Sequence, residues 1–192
     1  MIYFIIAALI VLLDQVSKYF LTIKLSGGGV AALLPGLVHM IYVQNTGAAF
    51  SFLQNVPWLL IAVSSVVILL IAAGLIRYRN RIDWVGKLGL GFILGGALSN
   101  LFDRAIFGYV ADFFEFEFVR FAVFNVADIF ITVGGVVFCL WYLFKGSKGG
   151  GLREEFMLGK GRDKKAGPRD AAERDGAQDS VTPEGSGGAD HT

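Results

Sequence analysis

Two aspartates that flank a short aromatic segment are the residues of this 192-residue chain best suited to chemistry. Asp112 lies in a Val-Ala-Asp-Phe run, and Asp128 ends a Phe-Asn-Val-Ala-Asp run inside a segment apolar enough to cross a bilayer. A carboxylate at the centre of a membrane helix costs about 2.5–3.5 kcal/mol on insertion scales. Two carboxylates close together cannot both ionise. The ionised one can deprotonate a water that attacks a peptide carbonyl, while the protonated one stabilises the oxyanion.

Further polar residues recur at helical spacing inside or beside apolar runs. Asp14 and Lys18 are four residues apart, and Asn100, Asp103 and Arg104 are spaced by three and four. Residues at these spacings share one face of a helix, which must point into a bundle rather than at lipid. For Asp14 with Lys18, the alternative interpretation is an internal ion pair that fixes packing. The same alternative applies to Asp103 with Arg104.

Other hydrolytic chemistries find less support in the residue types. The chain has two histidines, His39 and His191, and lacks the His-Glu-x-x-His pattern of many zinc hydrolases, so no metal is expected. The serines in or near the apolar runs have no Lys or His at a suggestive spacing, although a Ser–Lys dyad stays open. The single cysteine, Cys139, has no partner. Hydrolysis by paired carboxylates needs neither a metal nor an organic cofactor.

Composition assigns the chain to the membrane proteins. The mean hydropathy is +0.61, and 55% of the residues are hydrophobic. Residues 1–144 hold 15 of the 33 charged residues, and the remaining 18 lie in the last 48 residues. A net charge of +1 argues against a nucleic-acid-binding protein, which would carry a basic surface. The sequence therefore predicts a small polytopic membrane protein with an all-α architecture.

Four apolar runs of about 20 residues predict a four-helix membrane bundle. Basic residues cluster after the second run, as Arg77, Arg79, Arg81 and Lys87, and again after the fourth. The positive-inside rule then predicts that both termini are cytoplasmic and that the polar residues collect at the outer leaflet. Residues 1–145 form the predicted membrane domain, and residues 146–192 a disordered cytoplasmic tail. The predicted spans are residues 2–25, 56–76, 84–106 and 121–144.

The two outer loops also carry recognisable patterns. Asn45 and Gly47 follow a short β-like run, which suits a backbone that approaches a ligand, although an ordinary turn explains the pattern as well. Residues 113–119 alternate phenylalanine with glutamate and predict a strand, for which anchoring in the headgroup region is a sufficient role. Asp112 is predicted to lie in the loop before this strand.

Five motifs in order closely resemble lipoprotein signal peptidase (signal peptidase II). The match runs from residue 14 to residue 128 across the four predicted spans, and one motif alone would be weak. One departure is Ser99, which stands where the family usually has glycine. The motifs are Asp14-Gln15-x-x-Lys18, Asn45-Thr46-Gly47-Ala48-Ala49-Phe50, Gly95-Gly96-Ala97-Leu98-Ser99-Asn100-Leu101-Phe102-Asp103-Arg104, Val110-Ala111-Asp112-Phe113 and Phe124-Asn125-Val126-Ala127-Asp128.

The resemblance implies an aspartyl endopeptidase of the bacterial inner membrane with a small extracytoplasmic β-cradle. Such an enzyme removes the signal peptide from a prolipoprotein by cleaving before its diacylglyceryl-modified cysteine. The implied catalytic pair is Asp112 and Asp128. Its partners are prolipoproteins and membrane lipid, with no nucleic acid, and the chain is expected to be a monomer. The implied substrate-binding or supporting residues are Asn45, Gly47, Asn100, Asp103, Arg104, Asn125, Asp14 and Lys18.

The resemblance also motivates hypotheses for individual roles. Arg104 and Asn45 are expected to orient the substrate backbone, while Asn100 and Asn125 hold the aspartates. Asp14 and Lys18 support the fold or the site. Aromatic side chains are candidates for the path of the lipid chains, although core packing explains most of them: Phe50, Phe52, Phe113 and Phe124.

Two other classes of protein stay open on the residues alone. An ion-coupled transporter also keeps buried charged residues, but it usually has more than four helices and polar groups through the full depth of the membrane. A non-catalytic assembly factor would need the charges only as ion pairs, and it would tolerate Asp112→Asn.

Overall fold

The chain forms four long helices and a small sheet in a computed structural model that describes residues 2–47 and 57–146. All four helices in these ranges are long and apolar enough to cross a membrane. The predicted fold class, a four-helix membrane bundle with a small sheet, is thereby confirmed. The helices are α1 (Ile2–Leu25), α2 (Pro57–Arg77), α3 (Trp84–Phe107) and α4 (Val126–Trp141), which continues into a π-helical turn (Tyr142–Gly146); the strands are β1 (Ala31–Leu34), β2 (Val38–Asn45) and β3 (Val110–Phe116).

Helix α4 begins five residues later than the span predicted from residue 121. The preceding segment is apolar, but its backbone pairs with the sheet: Phe124 donates to the carbonyl of Phe114 at 3.0 Å, and its own carbonyl accepts from Phe114 at 2.8 Å. Asn125 then caps the helix. Hydropathy alone cannot separate such a segment from a membrane helix. Asp128 consequently lies in the first turn of α4.

Helix α3 is the centre of the bundle, and glycines let its neighbours approach closely. Half of the residues in the most apolar stretch of α3 are buried, against 11% in that of α2. A Cβ at Gly95 would meet the carbonyl oxygen of Ala7 at 2.8 Å, and one at Gly96 would collide with the carbonyl oxygen of Ala127. The small residues therefore allow the helix backbones to approach closely. A Cβ at Gly135, by contrast, would have nothing within 4 Å.

The three strands form one antiparallel sheet in the order β1-β2-β3. Strand β3 starts three residues earlier than predicted, because Val110 already pairs with Asn45 at the end of β2. Asp112 therefore lies on a strand opposite Val43, and the prediction of a loop position was wrong. Phe113 packs fully buried against Leu25 at the end of α1, which fastens the sheet to the bundle.

Several predictions fall outside the described residues. The predicted tail lies there from residue 147 onward, and so do Phe50 and Phe52. The boundary at residue 145 between membrane domain and tail stays a prediction, as does the side of the membrane on which the sheet lies.

Candidate active site

The carboxylate of Asp112 is buried at the end of the sheet and held by two amides. Its side chain is only 1% exposed. Asn45 Nδ2 donates to Asp112 Oδ2 at 2.8 Å, and Asn125 Nδ2 donates to Asp112 Oδ1 at 2.7 Å. The pairing of β2 with β3 brings Asn45 to this position, since its strand neighbour Val43 lies opposite Asp112. Both oxygens thus accept a hydrogen bond from a neutral donor.

Burial raises the pKa of the Asp112 carboxyl from 3.8 to about 6. This pKa is the net result of burial, of the hydrogen bonds from Asn45 and Asn125, which lower it, and of the negative charge of Asp128, which raises it. A carboxyl with this pKa exchanges its proton near neutral pH, as a general acid or base requires.

Asp128 is fixed by the capping of its own helix and by α3. Asn125 Oδ1 accepts from the backbone N–H of Asp128 at 3.0 Å, and Asp128 Oδ2 accepts from the backbone N–H of Asn125 at 3.1 Å. This reciprocal pair is a capping box at the start of α4. Asn100 Nδ2 donates to Asp128 Oδ1 at 2.9 Å. The half-buried carboxylate therefore has one orientation.

Asn125 connects the two aspartates. It is fully buried, and its Nδ2 donates both to Asp112 and to Asn100 Oδ1, the latter at 3.1 Å. Asn125 thus holds the Asp112 carboxylate with its side-chain amide and the Asp128 carboxylate with its backbone N–H. The predicted holding role of Asn100 and Asn125 agrees with these contacts.

A buried ion cluster lies behind the aspartates. Lys18 Nζ contacts Asp14 Oδ2 and Asp103 Oδ2, each at 2.6 Å, and donates to Asn100 Oδ1 at 3.0 Å. Its three donors are thereby satisfied, as a buried ammonium requires. The alternative that Asp103 is the ion-pair partner of Arg104 was wrong: Asp103 is bonded to Lys18 and to Gln15, whose Nε2 lies 2.7 Å from Asp103 Oδ1.

Arg104 reaches the same site but makes few close contacts with protein groups. Its guanidinium donates to the carbonyl oxygens of Gly47 at 3.3 Å and Asn100 at 3.5 Å. Guanidinium groups carry five N–H donors, so Arg104 keeps donors for a further ligand. Gly47 in turn donates its N–H to Asn45 Oδ1 at 3.0 Å.

The predicted site residues form one continuous network of hydrogen bonds and ion pairs. Sequence reasoning did not give Ser99 a role in it, yet Ser99 is fully buried and hydrogen-bonds Asp14 and Gln15. The signal for Ser99 was its position one residue before Asn100 on a polar helix face. Ser99 lies within α3, and positive φ angles in the described residues occur at glycines elsewhere, so serine is not strained there.

A cavity of about 450 Å³ opens onto both aspartates. Its polar end is formed by the aspartates with Arg104, and the rest of its wall is mostly apolar. Phe124, one of the candidates for the lipid path, lines the cavity, whereas Phe113, another candidate, packs against Leu25 and does not line it. The lining residues are Asn45, Asn100, Arg104, Val110, Asp112, Phe116, Phe121, Ala122, Val123, Phe124, Asp128, Ile129, Thr132 and Val133.

Comparison with known proteins gives consistent matches. A family model described as signal peptidase (SPase) II matches residues 6–144. A lipoprotein signal peptidase of Brevibacillus brevis is 40% identical over 146 residues, which cover 76% of this chain and 97% of the relative. Another, from a Nostoc species, is 46% identical over 133 residues, covering 69% and 83% of the two chains.

Solved structures share the fold. A bacterial membrane enzyme determined by the in meso method superposes with a TM-score of 0.66 at 22% identity, covering 85% of this chain and 94% of the other. A second such enzyme structure also has a TM-score of 0.66, at 24% identity, with 74% and 93% covered. At these identities the likeness supports the fold alone.

Proposed function

Because the chain belongs to the signal peptidase II family, we propose that it is an aspartic endopeptidase that matures bacterial prolipoproteins. It cleaves the signal peptide just before a diacylglyceryl-modified cysteine. The observation that carries the proposal is the convergence of Asp112 and Asp128, from a strand and a helix, on one cavity and one shared partner, Asn125.

The chemistry requires the two carboxylates to share one proton. The ionised member accepts a proton from water as the water attacks the scissile carbonyl, and the protonated member donates to the oxyanion and then to the leaving amine. Each carboxylate oxygen already accepts one amide hydrogen bond, and each keeps a further lone pair for water or substrate. The pair titrates as a unit, so its pKa values belong to both residues together.

Arg104 is the proposed ligand of the substrate backbone. Its unused donors and its place in the cavity wall suit a peptide carbonyl next to the scissile bond. The contacts of Asn45 favour a role other than orienting the substrate backbone: its Nδ2 donates to Asp112 and its Oδ1 accepts from Gly47. We therefore assign Asn45 to holding Asp112, together with Asn125.

The apolar wall of the cavity suits the lipidated part of the substrate. Phe116, Phe121 and Phe124 border it on one side, and Ile129 and Val133 of α4 border it deeper along the helix. A diacylglyceryl group resides in the bilayer, so a cavity that opens among apolar side chains at the membrane boundary can receive it without exposing the chains to water.

The proposed orientation has both termini in the cytoplasm and the aspartates at the outer leaflet of the inner membrane. The basic residues of this region lie at the opposite end of α3 from Asp103: Arg77 ends α2, Arg79 and Arg81 lie between α2 and α3, and Lys87 lies in the first turn of α3. Basic residues favour the cytoplasmic side, which assigns the sheet and the aspartates to the outer side.

The test is cleavage of a synthetic diacylglyceryl-prolipoprotein by the purified full chain in detergent. Asp112→Asn and Asp128→Asn keep the side-chain shape, so both should fold and lose activity by on the order of 10²-fold or more. Asp83→Asn is the matched control, because Asp83 caps the other end of α3 and asparagine caps equally well. Wild-type rates in either site variant would contradict the dyad, and cleavage of unlipidated substrate at the same rate would contradict the proposed specificity.

A further inference from the structure

A carboxylate from α1 caps the helix that carries Asp128. Asp14 is fully buried, and its Oδ1 accepts from the backbone N–H of Ala127 at 2.8 Å. Ala127 is the second residue of α4, and the first amides of a helix have no partner within the helix itself. Asn125 satisfies the next amide, that of Asp128, so Asp14 completes the cap from a neighbouring helix.

Ser99 holds Asp14 in the orientation that makes this cap possible. Its Oγ donates to Asp14 Oδ2 at 2.7 Å and accepts from Gln15 Nε2 at 3.0 Å. Asp14 Oδ2, the carboxylate oxygen that does not bond Ala127, is thus held by Ser99 and by Lys18. Lys18 is shared with a second carboxylate, so the hydroxyl supplies part of the stabilisation that a single ammonium cannot give to two anions.

We propose that Ser99 is a positioning residue for the hydrolysis. Its hydroxyl orients Asp14, Asp14 fixes the first turn of α4, and that turn carries Asp128. The inference rests on the proposed function where it concerns the reaction rate, and on hydrogen bonds alone where it concerns the start of α4. Ser99 does not line the cavity, so its effect is on the alignment of a reacting group and not on substrate affinity.

Ser99→Ala in the full chain tests the proposal. Alanine favours a helix and removes a single hydroxyl, so the variant is expected to fold. We expect kcat to fall about 2- to 30-fold at unchanged KM, the range for side chains that act through packed neighbours. Ser65→Ala is the matched control: its hydroxyl donates within its own membrane helix, to the carbonyl of Ile61 at 2.7 Å, and its kcat should stay at the wild-type value.

A double-variant cycle separates positioning from general weakening. If Ser99 acts through Asp14, Ser99→Ala should have little further effect on kcat in an Asp14→Asn background. Unchanged kcat in Ser99→Ala, or an equal loss in both backgrounds, would overturn the proposal. A variant that unfolds at lower temperature but cleaves at the wild-type rate when folded would overturn it as well.

Hydrogen exchange gives a readout that needs no activity. Ser99→Ala should accelerate amide exchange in a peptide spanning residues 126–128, while Ser65→Ala should leave it unchanged. Unaltered exchange in this peptide overturns the proposal even where the wild type cleaves. If the wild type fails to cleave lipidated substrate but the exchange responds as expected, the proposed function fails and the orientation of α4 by Ser99 stands.

Discussion

Replacing Asn125 separates the two tasks that this residue performs. Its Oδ1 caps α4, and its Nδ2 donates to the carboxylate of Asp112. Asn125→Ser keeps a cap, because serine is among the preferred N-cap residues, but its short side chain cannot supply the amide donor. Asn125→Ala removes both functions. The serine variant therefore isolates the loss of the amide donor to Asp112 from the loss of the helix cap.

The contacts give the expected magnitudes. A hydrogen bond to a charged group contributes about 1.5–3 kcal/mol, so the loss of the donor to Asp112 should lower kcat/KM by about 10- to 150-fold in both variants. Loss of the cap costs about 0.5–2 kcal/mol of stability, and it applies to Asn125→Ala alone. Activity should thus fall in both variants, and at least as far for alanine, whose lost cap also frees the turn that carries Asp128. The free energy of unfolding should be lower for alanine than for serine.

The assay combines cleavage of diacylglyceryl-prolipoprotein with thermal unfolding in the same detergent. Asn80→Ser is a control for the substitution itself, since Asn80 is exposed in the turn after α2. A serine variant that cleaves at the wild-type rate would refute the role of the amide donor. Equal stability of the serine and alanine variants would refute the capping role.

Three further predictions concern stability. The folded chain keeps the proton of Asp112 between pH 3.8 and about 6, where the unfolded chain has lost it, so wild-type stability falls across this window. We therefore expect the free energy of unfolding of Asp112→Asn, minus that of the wild type, to rise by at most about 3 kcal/mol from pH 4 to pH 6 and to stay constant above pH 6. Thermal unfolding of both proteins across this range measures the difference, and a difference that does not change with pH contradicts the raised pKa. Gly96→Ala should lower the unfolding temperature and the cleavage rate by forcing α4 away from α3, whereas Gly135→Ala, with open space for its Cβ, should not. Lys18→Met should cost about 3–5 kcal/mol in chemical denaturation, because two buried carboxylates lose their cation, and Asp103→Asn should restore part of that loss; full stability of the single variant would exclude the ion cluster as described.

The membrane helices were largely predictable, and the segment between α3 and α4 was not. Hydropathy located α1 at its observed bounds, since a long apolar run in a membrane protein has few alternatives. The residues before α4 are equally apolar, but Phe124 among them pairs its backbone with Phe114 of β3. Asn125 and Asp128, three apart, were the available signal for the true start, as the two ends of a capping box.

The polar residues of the site were predictable as a set, while their partners were not. Helical spacing indicated which side chains face the bundle, but it cannot tell which helix supplies the neighbour. Asp103 pairs with Lys18 of α1 and not with the adjacent Arg104, because the rotation of α3 against α1 decides the contact. The role of Asn45 depended in the same way on the register of β2 with β3.

The ion cluster has a consequence for biosynthesis. Asp14 and Lys18 form an i, i+4 pair within α1, so this helix can enter the bilayer with its two charges already matched. The carboxylate of Asp103 in α3 has no such partner on its own helix, and it is neutralised once α3 docks on α1. Because α1 is synthesised before α3, the Lys18 ammonium is already in the membrane when α3 is inserted. Insertion of the third helix and assembly of the bundle are therefore expected to be one coupled event at the ribosome-bound translocation channel.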